Sequence, residues 1–277
     1  MKLKQFIAFF ILIFSSNIFT GQNKIPPAKI INDIRDAVFF QQIVTDTLFD
    51  SNQIISILSM KKNSKKYKIR FDYNRKKLIK TSRFAKRNNA LAAINGGFFE
   101  MDKGGSVTYF EMNDTVINRN ISKKNKWGKP KNLLNGAVIL NKNNSISIEY
   151  AKQEQFYESS KNEKTVLVTG PVLIINSQPA KLPDLKFVTK RHPRTCLCTT
   201  DNSIVFITID GRSKKAQGMN LYEAQNFLLK LNCIDAINLD GGGSTTMYLK
   251  NKGIVNHPSD KKGERPVANA LLIFKKQ

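Results

Sequence analysis

Most apolar residues of this chain fall in short runs that are rich in β-branched and aromatic side chains and are separated by polar or glycine-containing turns. Short runs of this kind predict strands, whereas apolar residues spaced every three or four positions predict helices. The fold class is therefore predicted to be α/β or α+β, a mixed β-sheet core with few helices. Strands are expected at residues 54–60, 67–73, 91–94, 106–112, 136–140, 145–149, 166–168, 172–175, 195–200, 204–209 and 234–239, and helices at residues 33–44, 81–88 and 221–231.

The segment from residue 204 to residue 239 carries the clearest structural prediction. Asn220 and Glu223 form a capping-box pattern, in which two side chains satisfy the first free N–H groups of a helix. Apolar residues then recur at helical spacing up to Leu231, and apolar strands at 204–209 and 234–239 flank the helix. This succession predicts a βαβ unit with parallel strands.

Asp210 and Asp240 directly follow the two strands of this predicted unit. We expect both carboxylates at the same edge of the sheet, because open α/β sheets bind ligands where parallel strands end. Neighbouring strands would place them roughly 5 Å apart, and one intervening strand would about double that distance.

A glycine-rich segment begins at Asp240, where residues 241–243 are all glycine and Ser244 and Thr245 follow. Consecutive glycines are expected where the backbone bends sharply or approaches another group closely. Since no Lys follows them, the segment resembles a nucleotide-binding loop only superficially. A carboxylate beside hydroxyl and backbone N–H groups instead predicts a phosphate or sugar site.

The chain carries a formal net charge of +24, which favours anionic partners such as nucleic acid, phosphorylated glycan or a membrane surface. Between Lys61 and Arg87 there are thirteen Lys or Arg residues against one acid, Asp72. Aromatic and apolar residues alternate with basic ones over residues 67–73, which is typical of a half-buried strand. We therefore favour a solvated basic face over a dedicated polyanion groove, although both remain open.

The first 21 residues have the pattern of a secretory signal peptide, because Lys2 and Lys4 precede an apolar segment too short to span a bilayer comfortably. We predict a secreted or periplasmic protein with no membrane span after signal removal, although an uncleaved anchor remains open. Residues 22–53 are expected to form a linker or helical segment, and residues 54–277 one domain. Cys233 either bridges to Cys196 or Cys198, or all three are buried small apolar residues.

Five motifs in order resemble those of the phosphodiester glycosidase family, over roughly residues 54–274. The resemblance implies a catalytic domain at residues 54–277 that hydrolyses the bond between a sugar's anomeric carbon and a phosphodiester oxygen. The substrate would be a phosphorylated glycan or sugar phosphodiester, such as a GlcNAc-1-phosphate-type glycan or cell-surface polymer. The motifs are INGGFF (Ile94 to Phe99), RHPRT (Arg191 to Thr195), TIDGR (Thr208 to Arg212), NLDGGGSTTMYL (Asn238 to Leu249) and ERPVANALL (Glu264 to Leu272).

Roles for individual residues follow from this chemistry. A phosphate monoester is a good leaving group, so cations and N–H donors that hold it matter more than a strong general acid. Asp240 or Asp210 is predicted to act as nucleophile or base, and His192 as a proton donor near neutral pH. The predicted substrate-binding residues are Asn95, Gly96, Arg194, Thr195, Arg212, Gly241, Gly242, Gly243, Ser244 and Thr245.

Structural alternatives accompany these roles. Asp240 is otherwise the cap of a tight turn, and Arg194 a structural ion-pair partner of Glu264 or another acid. His257 is assigned to a turn. No cofactor is required by the sequence, while paired carboxylates near a phosphate would suit a divalent cation. A noncatalytic binding protein for phosphorylated glycans is the alternative function, and sequence-specific recognition of nucleic acid is not expected.

Overall fold

The computed structural model describes residues 18–19, 37–120 and 133–276. Over these residues the chain is mostly β-sheet with four short α-helices. The helices are α1 (Thr81–Arg87), α2 (Glu154–Ser159), α3 (Lys186–Thr189) and α4 (Leu221–Lys230). The strands are β1 (Ile18–Phe19), β2 (Val38–Thr45), β3 (Gln53–Lys61), β4 (Tyr67–Tyr73), β5 (Ile79–Lys80), β6 (Ala92–Asn95), β7 (Phe110–Met112), β8 (Thr115–Asn118), β9 (Gly136–Asn141), β10 (Ile146–Tyr150), β11 (Glu163–Thr169), β12 (Val172–Ile175), β13 (Gln178–Pro179), β14 (Arg194–Thr199), β15 (Ser203–Ile209), β16 (Asp235–Asn238), β17 (Met247–Leu249), β18 (Gly253–Ile254), β19 (Pro266–Val267) and β20 (Asn269–Lys275).

Three sheets enclose the main core. The first sheet has the strand order β1-β2-β3-β15-β14-β16-β12-β13, the second β10-β9-β11-β7-β8, and the third β18-β17-β6-β20-β4, while β5 and β19 form a separate pair. Apolar side chains from all three sheets meet in one buried cluster. The first sheet contributes Phe206, the second Val138 and the third Leu271, among others. Burial of these side chains supplies the main driving force for the arrangement.

Short helices cover the outer faces of the sheets. Helix α4 packs Phe227 and Leu228 on the first sheet, and α1 packs Phe84 on the third. Tyr157 of α2 lies in a fourth buried cluster with residues of the second sheet. The helices therefore cover part of the outer face of each sheet, while the outer face of β4 stays open at Arg70.

Several local predictions are confirmed. Both members of the capping box at Asn220 and Glu223 are present, because each side chain accepts from the other residue's backbone N–H. The hairpins β9-β10 and β14-β15 form as expected. In β4, Ile69 and Phe71 are buried while Arg70 is exposed. The predicted strand at residues 106–112 is shorter, with only Phe110–Met112 in strand conformation.

The helix predicted at residues 33–44 is wrong where the structure describes it. Residues 38–45 form β2, which pairs antiparallel with β3 along its whole length. The segment is rich in Val, Ile and Phe, which fit a pleated surface, and the pairing with β3 overrides the helical spacing. This part of the predicted linker belongs to the first sheet.

The predicted βαβ unit is not confirmed as such. The succession of β15, α4 and β16 exists, but β14 lies between the two strands and pairs antiparallel with both. Because β15 and β16 are each antiparallel to β14, they run parallel to one another and end at the same side of the sheet. The pattern predicted the direction of the strands and not the intervening strand, which comes from earlier in the chain.

A disulfide joins Cys198 to Cys233, whereas Cys196 is a buried free thiol. Most of the predicted signal peptide, residues 121–132 and the start of the predicted N-terminal helix lie outside the described residues. Within the described ranges, no helix is both long and apolar enough to cross a membrane.

Candidate active site

Asp210 and Asp240 lie at the same end of the first sheet, one after β15 and the other near the end of β16. Here β14 begins between them, with Arg194 paired to Ile209. Since β14 lies between β15 and β16, these two strands are two inter-strand spacings apart, or about 10 Å. We call this end of the sheet, where β15 and β16 finish and β14 begins, the site edge.

Asp210 is buried at the site edge and is held by the segment after β18. Its carboxylate accepts hydrogen bonds from the side chain of Asn256 at 3.1 Å and from the backbone N–H of His257 at 3.0 Å. The ring Nδ1 of His257 lies 2.9 Å from Oδ2, while 77% of the His257 side chain is exposed. Burial raises the pKa of Asp210, and the hydrogen bonds from His257 and Asn256 oppose that rise. The result is a histidine whose ring is oriented by a buried carboxylate and whose opposite edge faces solvent.

Asp240 keeps partial exposure and has fewer partners. Its backbone N–H donates to the carbonyl of Gly96 at 3.0 Å, and its carbonyl accepts from the Asn95 side chain at 2.6 Å. Dense surroundings raise the pKa of its carboxyl to about 6, opposed by the Ser244 hydroxyl, the charge of Arg265 and the N–H of Gly241. The Ser244 hydroxyl is close enough to influence this carboxyl, although it does not reach full hydrogen-bond geometry.

The glycine run is required by close packing. A Cβ on Gly241 would lie 2.7 Å from the carbonyl oxygen of Pro193, and one on Gly243 would lie 2.0 Å from Oδ1 of Asp260. Gly242 has φ +62°, a conformation that glycine adopts readily. Residues 242–244 form one turn of 3-10 helix.

Three residues with hydroxyl side chains directly follow the glycine run. The side-chain oxygens of Ser244, Thr245 and Thr246 are buried and have no hydrogen-bond partner among the described residues. Buried polar groups are normally paired, so three consecutive exceptions are typical of a place that receives a polar ligand or ordered water. The first of these hydroxyls, that of Ser244, lies close to the Asp240 carboxyl.

Arg194 and Arg212 have opposite surroundings. Arg194 is fully buried, and its guanidinium donates to the backbone carbonyls of Met219 at 2.9 Å, Phe187 at 2.7 Å and Lys190 at 2.9 Å. Burial lowers its pKa to about 10. The predicted alternative, an ion pair of Arg194 with Glu264 or another acid, is not found among the described residues, where Glu264 accepts hydrogen bonds from Ser82 and Arg194 donates to carbonyls.

The exposed Arg212 has a different geometry. Its backbone has φ +61°, and its Nη2 lies 3.0 Å from the position that a Cβ on Gly242 would occupy. No hydrogen bond or ion pair of Arg212 is found among the described residues. Its guanidinium therefore covers the glycine run and is available to an anion, while the Nη1 of Arg194 is buried without a partner.

Asn95 and Thr195 position the site instead of lining it. Both are fully buried: Thr195 donates to Oδ1 of Asn95 at 2.8 Å, and the backbone N–H of Thr246 donates to the same oxygen at 3.1 Å. Gly96 has no room for a side chain, since a Cβ would lie 1.9 Å from Oδ1 of Asn269. The structure thus gives these predicted substrate contacts a role in holding the backbone around Asp240.

His192 lies near the site edge, half-buried, with its ring stacked on Phe187 at a centroid distance of 6.5 Å. Burial and the charges of Arg194, Arg212 and Lys190 lower its pKa. A lowered pKa leaves less of the protonated form at neutral pH, so His192 fits the predicted role of proton donor less well than the oriented His257.

Sequence reasoning missed four residues that reach the site edge: Asn256, His257, Asp260 and Arg265. Arg265 forms an ion pair with Asp260, with Nε 2.7 Å from Oδ2, against Gly243. Asn256 joins the two aspartates' loops, because its amide donates to both Asp210 and the carbonyl of Thr245. His257 precedes a proline, which is the local pattern of a turn. Only its pairing with the distant Asp210 shows that it belongs to the site edge.

The predicted divalent cation stays a prediction. Within the described ranges, no group of three or more His, Cys, Asp or Glu side chains is arranged to hold a metal ion. Oxygen ligands at this edge would come from Asp240 and the neighbouring hydroxyls.

Comparison with known proteins adds independent findings. A family model described as phosphodiester glycosidase matches residues 88–274, more than half of the chain. The N-acetylglucosamine-1-phosphodiester alpha-N-acetylglucosaminidase of Bos taurus is 27% identical over 192 residues, covering 64% of this chain and 34% of the bovine protein. An SPbeta prophage-derived uncharacterized protein of Bacillus subtilis is 27% identical over 194 residues, covering 68% of this chain and 28% of the other. The chain spans about a third of the length of these curated relatives.

Among solved structures, the zebrafish N-acetylglucosamine-1-phosphodiester alpha-N-acetylglucosaminidase catalytic domain, auto-inhibited by its pro-peptide, is similar with a TM-score of 0.65 and 18% identity. The match covers 90% of this chain and 87% of that one. A hypothetical protein from Synechocystis has a TM-score of 0.62 and 14% identity, with 88% of this chain covered and 64% of the other. At these identities the likeness shows a shared fold.

Proposed function

The chain belongs to the phosphodiester glycosidase family, and from that premise we propose that it hydrolyses the bond between a sugar's anomeric carbon and a phosphodiester oxygen. The substrate is a GlcNAc-1-phosphate-type glycan or cell-surface polymer, a class suggested by the names of the mammalian and zebrafish relatives. The protein acts outside the cytoplasm, in the medium or the periplasm. The N-terminal signal-peptide pattern supports this location.

One observation carries the proposal: Asp240 and the Asp210–His257 pair meet at a single edge together with unpaired hydroxyls and arginines. A glycosidase needs a carboxylate at the oxocarbenium-like centre and a group that transfers a proton. With a pKa of about 6, Asp240 is mostly a carboxylate at neutral pH. His257 presents its free ring edge to solvent and can accept or donate a proton there.

The reaction joins water to the anomeric carbon and breaks the bond from that carbon to the phosphate oxygen. The leaving phosphate monoester takes the bonding electron pair. Asp240 either attacks the anomeric carbon or accepts a proton from the attacking water. His257 accepts the water proton in the first case and donates a proton to the leaving phosphate oxygen in the second. The separation of the two acidic strand ends, about 10 Å, leaves room for a sugar between the groups.

Arg212 and the backbone of residues 241–243 hold the phosphate in this proposal. A guanidinium offers a planar fork of donors that matches phosphate oxygens, and Arg212 has no described partner to compete. Arg194 contributes differently, because it fixes the backbone carbonyls around the start of β14. Only its unpaired Nη1 remains for a ligand.

The second candidate is a noncatalytic protein that binds phosphorylated glycans. The unpaired hydroxyls and Arg212 favour binding in either case, whereas the oriented His257 favours catalysis. Both candidates predict that the site edge binds a sugar phosphodiester.

The deciding experiment incubates the purified protein with a methyl phosphodiester of GlcNAc-1-phosphate and measures free reducing sugar. Release by the wild-type protein, with none from Asp240→Asn, is the expected result. Saturable binding of the diester without release would favour the binding protein, and neither binding nor release would overturn the proposal. Repeating the assay with a chelator shows whether a divalent cation is needed.

A further inference from the structure

A second anion-binding surface lies on the outer face of the third sheet, away from the site edge. We propose that this surface is an exosite that holds phosphates of a polymeric substrate remote from the bond being cleaved. The inference rests on the proposed function and names the substrate as a polymer of sugar-1-phosphodiester repeats. We call the surface the basic groove and define it by Lys68, Arg70, Lys250, Phe274, Lys275 and Lys276.

The basic groove is concave, and its described charged residues all carry positive charge. It encloses about 610 Å³ between β4, the end of β20, the turn after β17 and the end of α1. Of its described lining side chains, five are Lys or Arg and none carries a carboxylate. A cleft lined by one sign of charge concentrates the field, which attracts an oppositely charged ligand more strongly than a flat surface does. This concavity distinguishes the groove from the solvated basic face expected from the alternation in β4.

Three chain segments far apart in sequence converge to make the groove. Lys68 lies opposite Phe274 in the β4-β20 register, and Arg70 lies opposite Leu272. Lys250 follows β17, where its backbone N–H donates to the carbonyl of Leu91 at 2.8 Å. Paired strands therefore fix the backbones that carry these cations.

The distance to the site edge requires an extended ligand. Strand β20 starts at Asn269, whose backbone carbonyl accepts from Gly96 near Asp240, and reaches the groove at Phe274. Five residue steps at roughly 3.4 Å each correspond to about 17 Å along the strand. A single sugar phosphate at the site edge cannot reach the groove, so only a chain of several repeats would occupy both.

The contacts of the groove favour a phosphate polymer over nucleic acid or a membrane. Among the described lining residues, Phe274 is the only aromatic one, and the Arg70 guanidinium lies over its ring at 5.2 Å. A base that stacked on that face of the ring would have to displace Arg70. Among the described residues, the exposed large apolar side chains, such as Phe156 and Tyr222, lie outside the groove. Binding there therefore depends on cations facing repeated phosphates.

The test compares two substrates in two charge-matched variants. Lys68→Glu/Lys250→Glu changes the groove, and Lys181→Glu/Lys230→Glu makes the same change in net charge at exposed positions outside the groove. We measure kcat/KM on poly(GlcNAc-1-phosphate) and on the methyl phosphodiester. The groove variant should lose about tenfold or more on the polymer at low salt and keep the wild-type value on the small diester, and the control should keep both. The polymer deficit should shrink as salt is added.

Each outcome is decisive. Equal losses of kcat/KM on the polymer in both variants would mean that net charge alone causes the loss, which would overturn the exosite. An unchanged polymer value in the groove variant would overturn it as well. If the wild-type protein cleaves neither substrate, the proposed function fails, and the groove is then judged by anisotropy of labelled polymer. Weaker polymer binding by the groove variant alone supports the site. A greater loss for single-stranded DNA or for anionic phospholipid vesicles than for the polymer would overturn the choice of ligand.

Discussion

Asp210 and Asp240 hold equivalent positions near the carboxyl ends of two parallel strands, yet the protein surrounds them in opposite ways. Asp210 is buried and accepts hydrogen bonds from the Asn256 side chain and from the backbone and ring of His257. Asp240 stays partly exposed and faces the buried, unpaired Ser244 hydroxyl. Topology brought both carboxylates to one edge, and local contacts gave them different tasks.

The difference shows how one edge can provide both an anchor and a reactive group. A carboxylate whose lone pairs are occupied by protein donors cannot also attack a substrate, but it can orient the donors that surround it. A carboxylate in dense surroundings with few donors has a raised pKa and free lone pairs. On this basis we propose that Asp210 acts through His257 and that Asp240 contacts the substrate.

The largest expected effect follows removal of the Asp240 charge. Asp240→Asn should lower kcat on the methyl phosphodiester by about 10⁴-fold or more, as expected when a group that acts directly in chemistry is lost. Asp201→Asn, at the exposed turn between β14 and β15, is the matched control and should retain full activity. Circular dichroism should show both variants folded. A loss of less than tenfold in Asp240→Asn would remove it from the chemistry.

A smaller loss is expected from the anchored partner. His257→Ala should lower kcat by about 10²–10³-fold, the usual contribution of a general acid or base. Asp210→Asn should cause a similar loss by releasing the ring, and the double variant should be no worse than His257→Ala, because the two residues act as a unit. Additive losses would mean that Asp210 acts independently of His257. His192→Ala is the comparison histidine, and a larger loss there would transfer the proton-transfer role to His192.

The sequence predicted those parts of the site that local pattern controls. Asp240 with its glycines, and Asp210 after an apolar run, were recognisable because each is set by neighbours in the chain. The capping box at Asn220 likewise predicted where α4 begins. The parallel direction of β15 and β16 followed from the same local succession.

Other features depend on contacts between distant segments. Strand β14 occupies the place between β15 and β16, so the βαβ unit is not confirmed, although the pattern left one intervening strand open. His257 had the local pattern of a turn, and its pairing with Asp210 spans 47 positions. Burial of Arg194 under three backbone carbonyls also leaves no trace in its local sequence. Residues whose roles depend on long-range packing therefore escaped prediction.

The smallest expected effect, pH dependence, tests the electrostatic half of the comparison. Burial raises the pKa of Asp240 from 3.8 to about 6, and the ionised form is the active one in the proposed mechanism. Values of kcat/KM should therefore fall about tenfold from the plateau by pH 5. Since the charge of Arg265 lowers this pKa, Arg265→Gln should move the acidic limb to higher pH, whereas Lys181→Gln should leave it in place.

Stability should change with pH in the opposite direction to activity. A raised pKa means that the folded protein binds a proton more tightly than the unfolded chain does, so ionisation of Asp240 lowers the free energy of unfolding. Wild-type stability relative to Asp240→Asn should thus be highest below pH 4 and decline as pH rises to about 6, as measured by urea unfolding at a series of pH values. An increase over that range would mean that protein partners stabilise the Asp240 carboxylate as an ion. The contrast between the two aspartates would then be lost, because the lone pairs of Asp240 would be held by protein donors, as those of Asp210 are.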